Sequence, residues 1–382
     1  MNCPLFLSDI FYNISWISLL VAIGGAGQMI GLPLFISTFG GETGIYFVYV
    51  FCSFLFIPVF SAVLAFDYCN SRVTRDHLMR FDWNFVWMGL SDALNGFLIV
   101  YSSALGRTSG PLQSILAQFG IPFSMLFSYL IVRGWRYSRY EFIAAGIVLL
   151  GIMISLIPNL SSLVKDGIGE QNFIYPLLFV IGGIPGVLMN IVQHNVFTKY
   201  PDINIAQLLL WESVVQFIAA LSLFWVDFTI PCFGTSASID EFMVNMRNGI
   251  ECFFFMGEGR CYASFPIGVL FAIAYCMSYY FGSLVIREAS ANSNVVINSI
   301  TAPITVILWF VIPPMTAWAG APPYTPIDIV SALCGLPFIF LGSVMYHYYE
   351  TQTIKYTNQS NDAKDDPFIV YNSHDSVQIN LV

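Results

Sequence analysis

Two carboxyl groups lie inside long apolar segments of the sequence, where a charged side chain is costly. Asp92 lies near the middle of one segment, and Glu212 lies about two helical turns into another, one turn before Gln216. An ionised carboxylate at the centre of a bilayer costs roughly 2.5 to 3.5 kcal/mol, and burial favours the neutral form of an acid. Asp92 and Glu212 are therefore candidate proton-coupling sites, and the alternative is a structural hydrogen bond to a neighbouring helix.

Two other apolar segments carry polar residues at helical spacing beside a proline. Asn294, Asn298, Thr301 and Thr305 surround Pro303, and Ser114 and Gln118 precede Pro122. A proline leaves the carbonyl four residues earlier without its usual donor, and helices broken in this way often border solute sites. The pattern predicts a cavity for a small solute, with ordinary hydrogen bonds between helices as the alternative. The predicted lining residues are Asp92, Gln113, Gln118, Asn298 and Thr301.

These residues belong to a chain with the composition of a membrane protein. Of its 382 residues, 57% are hydrophobic and only 10% are charged, against roughly 25% charged in ordinary soluble domains. The mean hydropathy is +0.72. This composition excludes a soluble enzyme, and the net charge of −9 excludes a nucleic-acid partner, because no basic surface exists to attract phosphate.

Ten apolar runs are long enough to cross a bilayer as helices of about twenty residues. They cover residues 15–38, 43–66, 82–104, 109–132, 140–157, 173–196, 205–229, 264–286, 292–312 and 326–349. The first run lacks a basic segment before it and a cleavage site after it, so we interpret it as a retained helix rather than a signal peptide. The predicted fold class is an all-α integral membrane protein.

The basic residues predict which side of the membrane each end of a helix occupies. With ten spans, ten of the 14 Lys and Arg residues fall on one side, as expected for the cytoplasm. Both termini are then cytoplasmic. A faint similarity between the halves predicts two five-helix repeats of opposite topology, at residues 1–158 and 159–350, followed by a disordered cytoplasmic tail at 351–382.

Glycines at a spacing of four contribute to that similarity. Gly27 and Gly31 lie in the first run, and Gly182 and Gly186 lie in the sixth. Small residues four apart let two helix backbones approach closely in a membrane. We therefore predict close helix contacts at both places, with a hinge function as a further option.

One connection is long and lies on the side opposite the termini. Residues 230–264 contain Cys232, Cys252 and Cys261, and the alternation of charged and apolar residues from Asp240 to Ile250 predicts a short helix at the lumenal interface. Cysteines facing an oxidising lumen favour a bridge between Cys252 and Cys261, with buried free thiols as the alternative. No role is predicted for Cys232.

The sequence contains no recognisable catalytic motif. Its four histidines are far apart, and it has no CxxC pair, Walker A loop or GxSxG turn. We therefore predict no enzymatic activity, no metal and no organic cofactor. The remaining route to catalysis is a site assembled from distant residues.

Several ordered segments resemble one known family. Residues 106–114 (GRTSGPLQS), continued by 118–122 (QFGIP), are similar to the chloroquine resistance transporter-like family of the drug/metabolite transporter superfamily. Residues 196–200, 248–254 and 299–303 match pieces of that family in the same order. The resemblance extends from about residue 92 to 350.

The resemblance implies ten helices in two inverted repeats and proton-driven export from a vacuolar or lysosome-like lumen to the cytosol. The implied solutes are amino acids, short peptides, glutathione-like thiols and cationic amphiphilic drugs. Asp92 matches a family aspartate, and Cys252 with Cys261 matches a lumenal disulfide, although the short loop between them leaves room for one bridge only. Glu212 has no family counterpart.

Two alternatives to a proton-coupled carrier remain open at this point. A carrier of nucleotide sugars or other phosphate esters would require cationic residues in its cavity, and no Lys or Arg lies at mid-span. A channel or a membrane scaffold would need no coupling carboxylate. The sequence does not determine the solute or the oligomeric state.

Overall fold

The described part of the chain forms ten long helices that are apolar enough to cross a membrane. The structure, a computed structural model, describes residues 16–39, 44–74, 80–104, 107–131, 137–166, 174–230, 233, 235–319 and 324–364. The helices are α1 Trp16–Ser37, α2 Ile45–Cys69, α3 Trp83–Ser102, α4 Gly110–Ile131, α5 Arg139–Pro158, α6 Ile174–Lys199, α7 Ile205–Thr229, α8 Cys261–Glu288, α9 Ala291–Val311 and α10 Pro326–Gln352. The predicted all-α membrane fold with ten spans is confirmed.

Local sequence explains where several helices begin and end. Asp82 accepts a hydrogen bond from the Asn84 backbone N–H at 2.9 Å and caps α3, and Asn204 caps α7 in the same way. At the other end of the chain, α10 continues as a helix to Lys364, because residues 351–364 contain no Gly or Pro to stop it. The described backbone is thus helical to Lys364, residues 365–382 lie outside the described residues, and the disordered cytoplasmic tail stays a prediction.

Each helix of the first half packs against a helix of the second half. The pairs are α1 with α8, α2 with α7, α3 with α6, α4 with α9 and α5 with α10. If each helix is replaced by the helix at the same position in the other half (α1 by α6, α8 by α3, and so on), the same five pairs result. Two five-helix repeats would have this property. The repeat boundaries at 158 and 159 and the inversion of the second repeat stay predictions.

The predicted glycine contacts are present in two of these pairs. A Cβ atom added to Gly27 of α1 would lie 2.7 Å from the Ala274 Cβ of α8, and one added to Gly182 of α6 would lie 2.9 Å from the Leu98 Cβ of α3. Both distances are shorter than real Cβ contacts, so only glycine permits these approaches. The prediction of close helix packing is confirmed at both places.

The long connection between α7 and α8 contains the predicted short helix, which covers Ile239–Phe253. Its inner face packs on α2, where Phe242 lies 5.0 Å from the ring of Tyr46. A disulfide joins Cys252 to Cys261. Cys232 lies outside the described residues. We call the membrane side that carries this bridge the disulfide side, and the side where α3 and α7 begin the basic side.

A charged contact joins two connections on the basic side. The Asp82 carboxylate accepts hydrogen bonds from Lys199 Nζ at 2.6 Å and from the Tyr200 hydroxyl at 2.9 Å. Burial alone would raise the pKa of Asp82, but the hydrogen bonds from Lys199, Asn84 and Tyr200 together lower it. The contact therefore holds the beginning of α3 against the end of α6.

Candidate functional site

Helices α4 and α9 are both interrupted near the middle of their lengths, one turn before a proline. A 3-10 turn over Ala117–Phe119 divides α4. Helix α9 is divided at Ile300, between segments Ala291–Ser299 and Thr301–Val311. Pro122 and Pro303 lack the N–H groups that would bond to the carbonyls of Gln118 and Ser299, which explains the position of each break.

A cavity of about 250 Å³ lies between these two breaks. Its walls come from α1, α3, α4, α6, α8 and α9. All five residues that the sequence predicted for the cavity line it, namely Asp92, Gln113, Gln118, Asn298 and Thr301. Glu212 is not among the lining residues and lies behind Asp92 on α7.

Asp92 is the only charged residue among the described residues that line the cavity. Its side chain is 1% exposed, and Oδ1 accepts a hydrogen bond from the Tyr279 hydroxyl of α8. Its second oxygen, Oδ2, meets no donor at hydrogen-bond geometry within the described part of the protein, and the Gln216 carboxamide of α7 lies beside the carboxyl group. The carboxyl group therefore keeps one oxygen available to a proton or a solute.

Glu212 is a second buried carboxyl group close to the first. It is 1% exposed, and neither of its carboxyl oxygens has a hydrogen-bond partner among the described residues. Gly89 brings the two helices together, because a Cβ added there would lie only 2.7 Å from the Glu212 carbonyl oxygen. Asp92, one turn after Gly89, lies close enough to Glu212 for the two carboxylates to repel each other.

Eight carboxamide side chains provide most of the other polar groups of the lining. They are Gln28, Asn95, Gln113, Gln118, Asn190, Gln193, Asn294 and Asn298. The three that the sequence predicted donate to nearby carbonyls of their own segment: Gln113 to Thr108 at 2.8 Å, Gln118 to Ser114 at 3.1 Å and Asn298 to Asn294 at 3.1 Å. The amide oxygen of Gln118, Oε1, has no hydrogen-bond partner in the described protein.

Sequence reasoning missed two residues at the centre of this site. Tyr279 of α8 contacts Asp92 directly, and Asn95 of α3 donates to the Gly182 carbonyl of α6 at 2.7 Å. Asn95 follows Asp92 by three residues and so shares its helix face. This spacing could have predicted Asn95 as a lining residue. Tyr279 lies among several aromatic residues of α8, and nothing in its spacing distinguishes it from the others.

On the basic side, a polar cluster connects the end of α4 to the beginning of α9. The amide oxygen of Asn292 accepts hydrogen bonds from the hydroxyls of Ser124 and Ser128, and its nitrogen donates to the Tyr137 hydroxyl at 3.0 Å. Burial raises the pKa of Tyr137 to about 12, so the phenol stays neutral. We call Ser124, Ser128, Tyr137 and Asn292 the basic-side cluster.

A buried carboxyl group outside the predicted site reinforces this connection. Glu350 of α10 is 1% exposed and accepts hydrogen bonds from the hydroxyls of Ser290 at 2.7 Å and Ser293 at 3.0 Å. Both serines belong to the first turn of α9 or cap it. Glu350 therefore anchors the same helix end that Asn292 ties to α4.

On the disulfide side, the same two helices meet through an apolar contact. The Trp309 ring of α9 is 1% exposed and lies directly on Gly110, where an added Cβ would be 2.3 Å from Cε2. The indole Nε1 has no hydrogen-bond partner among the described residues. At this end, α4 and α9 are therefore held together by the packing of the indole ring and not by a hydrogen bond from it.

Several known proteins are similar to part of this chain. Crt homolog 3 of Dictyostelium discoideum is 34% identical over 198 residues, which are 52% of this chain and 40% of that relative. Crt homolog 1 of the same organism is 31% identical over 211 residues, covering 54% of this chain and 42% of the relative. The chloroquine resistance transporter of Toxoplasma gondii is 26% identical over 204 residues, covering 52% and 22% respectively.

The chain thus matches less than half of the length of each of these relatives. The model of the CRT-like family, described as chloroquine-resistance transporter-like, matches residues 43–346 and so covers most of this chain, including the cavity residues from Asp92 to Thr301. The chain belongs to the CRT-like, chloroquine-resistance transporter-like family.

Proposed function

We propose that this protein is a proton-coupled secondary transporter that carries small polar solutes by alternating access. The observation that carries the proposal is a mid-membrane cavity between two broken helices, in which Asp92 is the one charged lining residue among those described. Broken helices at mid-membrane and a buried acidic group are features of coupled carriers. The names of the relatives, which include a chloroquine resistance transporter, support a transport role.

The lining favours solutes that both donate and accept hydrogen bonds. Gln113, Gln118, Asn298 and Thr301 offer amide and hydroxyl groups, while Asp92 offers a single negative charge. Amino acids, short peptides, glutathione-like thiols and cationic amphiphilic drugs are the proposed classes. The volume of about 250 Å³ suits the smaller of these in the present conformation.

Asp92 and Glu212 are the proposed proton-coupling groups. Two ionised carboxylates so close together would repel each other, and no ion pair among the described residues includes either one. A proton bound to one of them removes this repulsion. Asp92 then carries its proton while the solute is bound, because it faces the cavity, whereas Glu212 acts from behind it.

The proposed direction of transport rests on an orientation that the distribution of basic residues supports. We assign the basic side, with both termini, to the cytoplasm and the disulfide side to the lumen of an acidic organelle such as a vacuole or lysosome. Protons that move down their gradient from that lumen then drive export of the solute to the cytosol.

Two alternatives make different demands on the cavity. A carrier of nucleotide sugars needs cations to hold phosphate, and the described lining contains no Lys, Arg or His. A channel needs no coupling group and gives flux without saturation or counterflow. A saturable, counterflow-competent flux driven by pH would separate the proposal from both.

The test is uptake into proteoliposomes with and without an imposed pH gradient. The probes are radiolabelled arginine, a dipeptide, glutathione and chloroquine. We expect the gradient to drive saturable uptake of at least one probe. Asp92→Asn should reduce this uptake to the level without a gradient, because the amide neither binds nor releases a proton in this range.

Asp240→Asn is the matched control, because it makes the same substitution in the exposed helix of the long connection. Its uptake should equal that of the unaltered protein. Full gradient-driven uptake by the Asp92→Asn protein would show that Asp92 is not a proton-coupling group. Equal uptake with and without the gradient for every probe would remove proton coupling itself.

A further inference from the structure

The hydrogen bond between Tyr279 and Asp92 connects the two halves of the molecule inside the cavity. Asp92 belongs to α3 of the first half, and Tyr279 belongs to α8 of the second. Both side chains line the cavity, so the bond lies where a solute would bind. Any movement of α8 relative to α3 must therefore break or redirect a bond to the one charged group among the described lining residues.

The Tyr279 ring is held so that its hydroxyl points at the carboxylate. It stacks on Phe56 of α2 with ring centroids 5.1 Å apart and meets the Tyr275 ring edge-on, also at 5.1 Å. The Met189 sulfur of α6 lies 3.5 Å from the same hydroxyl. The ring is thus fixed on three sides by α2, α6 and α8, and its donor has a defined direction.

The other titratable groups around Asp92 do not provide an equivalent donor. Tyr49 of α2 faces Asp92, but its hydroxyl donates to the Ala93 carbonyl at 2.8 Å. Tyr275 of α8 and Glu212 of α7 also lie within electrostatic range. Glu212 carries the same sign of charge as Asp92 when ionised, so it opposes a charge on Asp92, whereas Tyr279 stabilises one.

We propose that Tyr279 is a positioning residue that acts through Asp92. By donating to Oδ1 it fixes the carboxylate, leaves Oδ2 as the oxygen that takes up the proton beside the bound solute, and sets the pH at which Asp92 releases its proton. The role in solute transport rests on the proposed function, while the control of the proton on Asp92 stands without it. Loss of the hydroxyl removes a bond to the ionised form, so Tyr279→Phe holds the proton more tightly.

The first test follows the proton on Asp92 without any transport. Infrared difference spectra are recorded over a pH series on the full chain in lipid nanodiscs. They contain the carbonyl band of protonated carboxyl groups. The part of this band that is lost in Asp92→Asn belongs to Asp92. In Tyr279→Phe we expect this band at higher frequency and its midpoint at a pH higher by about one unit, a tenfold change in proton affinity.

Tyr280→Phe is the matched control, because Tyr280 is the next residue on α8 and contacts Phe281 rather than Asp92. Its Asp92 band and midpoint should equal those of the unaltered protein. An unchanged midpoint in Tyr279→Phe, in a protein that elutes and melts like the control, would overturn the proposal. A shift of equal size in both variants would also overturn it.

The second test uses uptake of labelled arginine and chloroquine as a function of pH. The half-maximal pH should shift upward in Tyr279→Phe by the same amount as the infrared midpoint. In the Asp92→Asn background, adding Tyr279→Phe should change nothing further, because its effect passes through Asp92. An additional loss in that background would show that Tyr279 acts by another route.

The two tests separate this inference from the proposed function. An infrared shift without gradient-driven uptake of any probe leaves the positioning role intact and contradicts the transport proposal. Gradient-driven uptake with no infrared shift contradicts the positioning role and leaves the transport proposal intact.

Discussion

The crossing of α4 and α9 is closed by different chemistry at its two ends. At the basic side, Asn292 of α9 exchanges hydrogen bonds with Ser124, Ser128 and Tyr137. At the disulfide side, the Trp309 ring packs on Gly110, and its indole N–H has no partner among the described residues. The cavity lies between these two closures.

The difference affects how easily each end can open. Water can replace hydrogen bonds at a net cost of about 0.5 to 1.5 kcal/mol for each bond. Water cannot replace the apolar contact of a buried indole, whose exposure costs about 25 cal/mol for each Å². We therefore expect the basic side to open more readily than the disulfide side when solute is not bound.

The largest expected effect on stability comes from adding a methyl group to the apolar contact between Trp309 and Gly110. In Gly110→Ala, the new Cβ would lie 2.3 Å from a Trp309 ring that is itself fully enclosed, so either the ring or the helix must move. Overpacking of this kind costs about 1 to 3 kcal/mol. We expect a clear decrease in the melting temperature of the purified protein in detergent, measured by scanning fluorimetry.

Gly146→Ala provides the control for this experiment. Gly146 lies on α5, and apart from its chain neighbours and the backbone of its own helix no described heavy atom lies within 4 Å of its ideal Cβ position. The same added methyl group should therefore leave the melting temperature unchanged or raise it slightly, because alanine favours helix. Equal behaviour of the two variants would mean that the Trp309 contact does not close the crossing.

The second-largest effect on stability comes from removing the hydrogen bonds of the basic-side cluster. Asn292→Ala leaves the hydroxyls of Ser124 and Ser128 without their acceptor, and an unsatisfied buried polar group costs about 1 to 3 kcal/mol. Incoming water offsets part of this cost. We expect a smaller loss of stability than in Gly110→Ala, together with faster labelling of a Gln118→Cys reporter by an impermeant thiol reagent added from the basic side.

Asn248→Ala, in the exposed helix of the long connection, should change neither the melting temperature nor the labelling rate. Asn292→Ala with a reporter as slow as that of the control would contradict the gating role of the basic-side cluster. Faster labelling in Gly110→Ala from the basic side would show that the two closures are not independent.

The lining of the cavity was largely predictable from the sequence, and its closures were not. Polar residues in an apolar helix are conspicuous, and the prolines marked where α4 and α9 break, so Gln118 and Asn298 could be assigned to one cavity. Fold class and span positions followed from apolar length alone. Each of these signals is local in the chain.

The residues that sequence reasoning missed depend on contacts between distant segments. Tyr279 meets Asp92 across 187 positions, and Asn292 meets Ser124 across 168. The sequence places the Glu212 carboxyl group inside a span, but its position behind the cavity depends on the Gly89 contact between α3 and α7. Such pairings are set by packing geometry, which periodicity along one helix does not contain.

The smallest expected effect concerns the charged contact that holds the basic side together at its surface. Asp82→Asn keeps the cap of α3, since asparagine caps as well as aspartate, but removes the charge that pairs with Lys199. Because the pKa of Asp82 is lower in the folded protein, its stabilising contribution is complete above the unfolded pKa of about 3.9 and is lost as the pH falls through the folded value. At neutral pH we expect only a small loss of stability, since Lys199 is exposed to solvent. The difference in melting temperature between Asp82→Asn and the unaltered protein should shrink toward zero in acid and in high salt. A difference that persists under both conditions would show that Asp82 acts through its hydrogen-bond geometry, as the basic-side cluster does, and not through its charge.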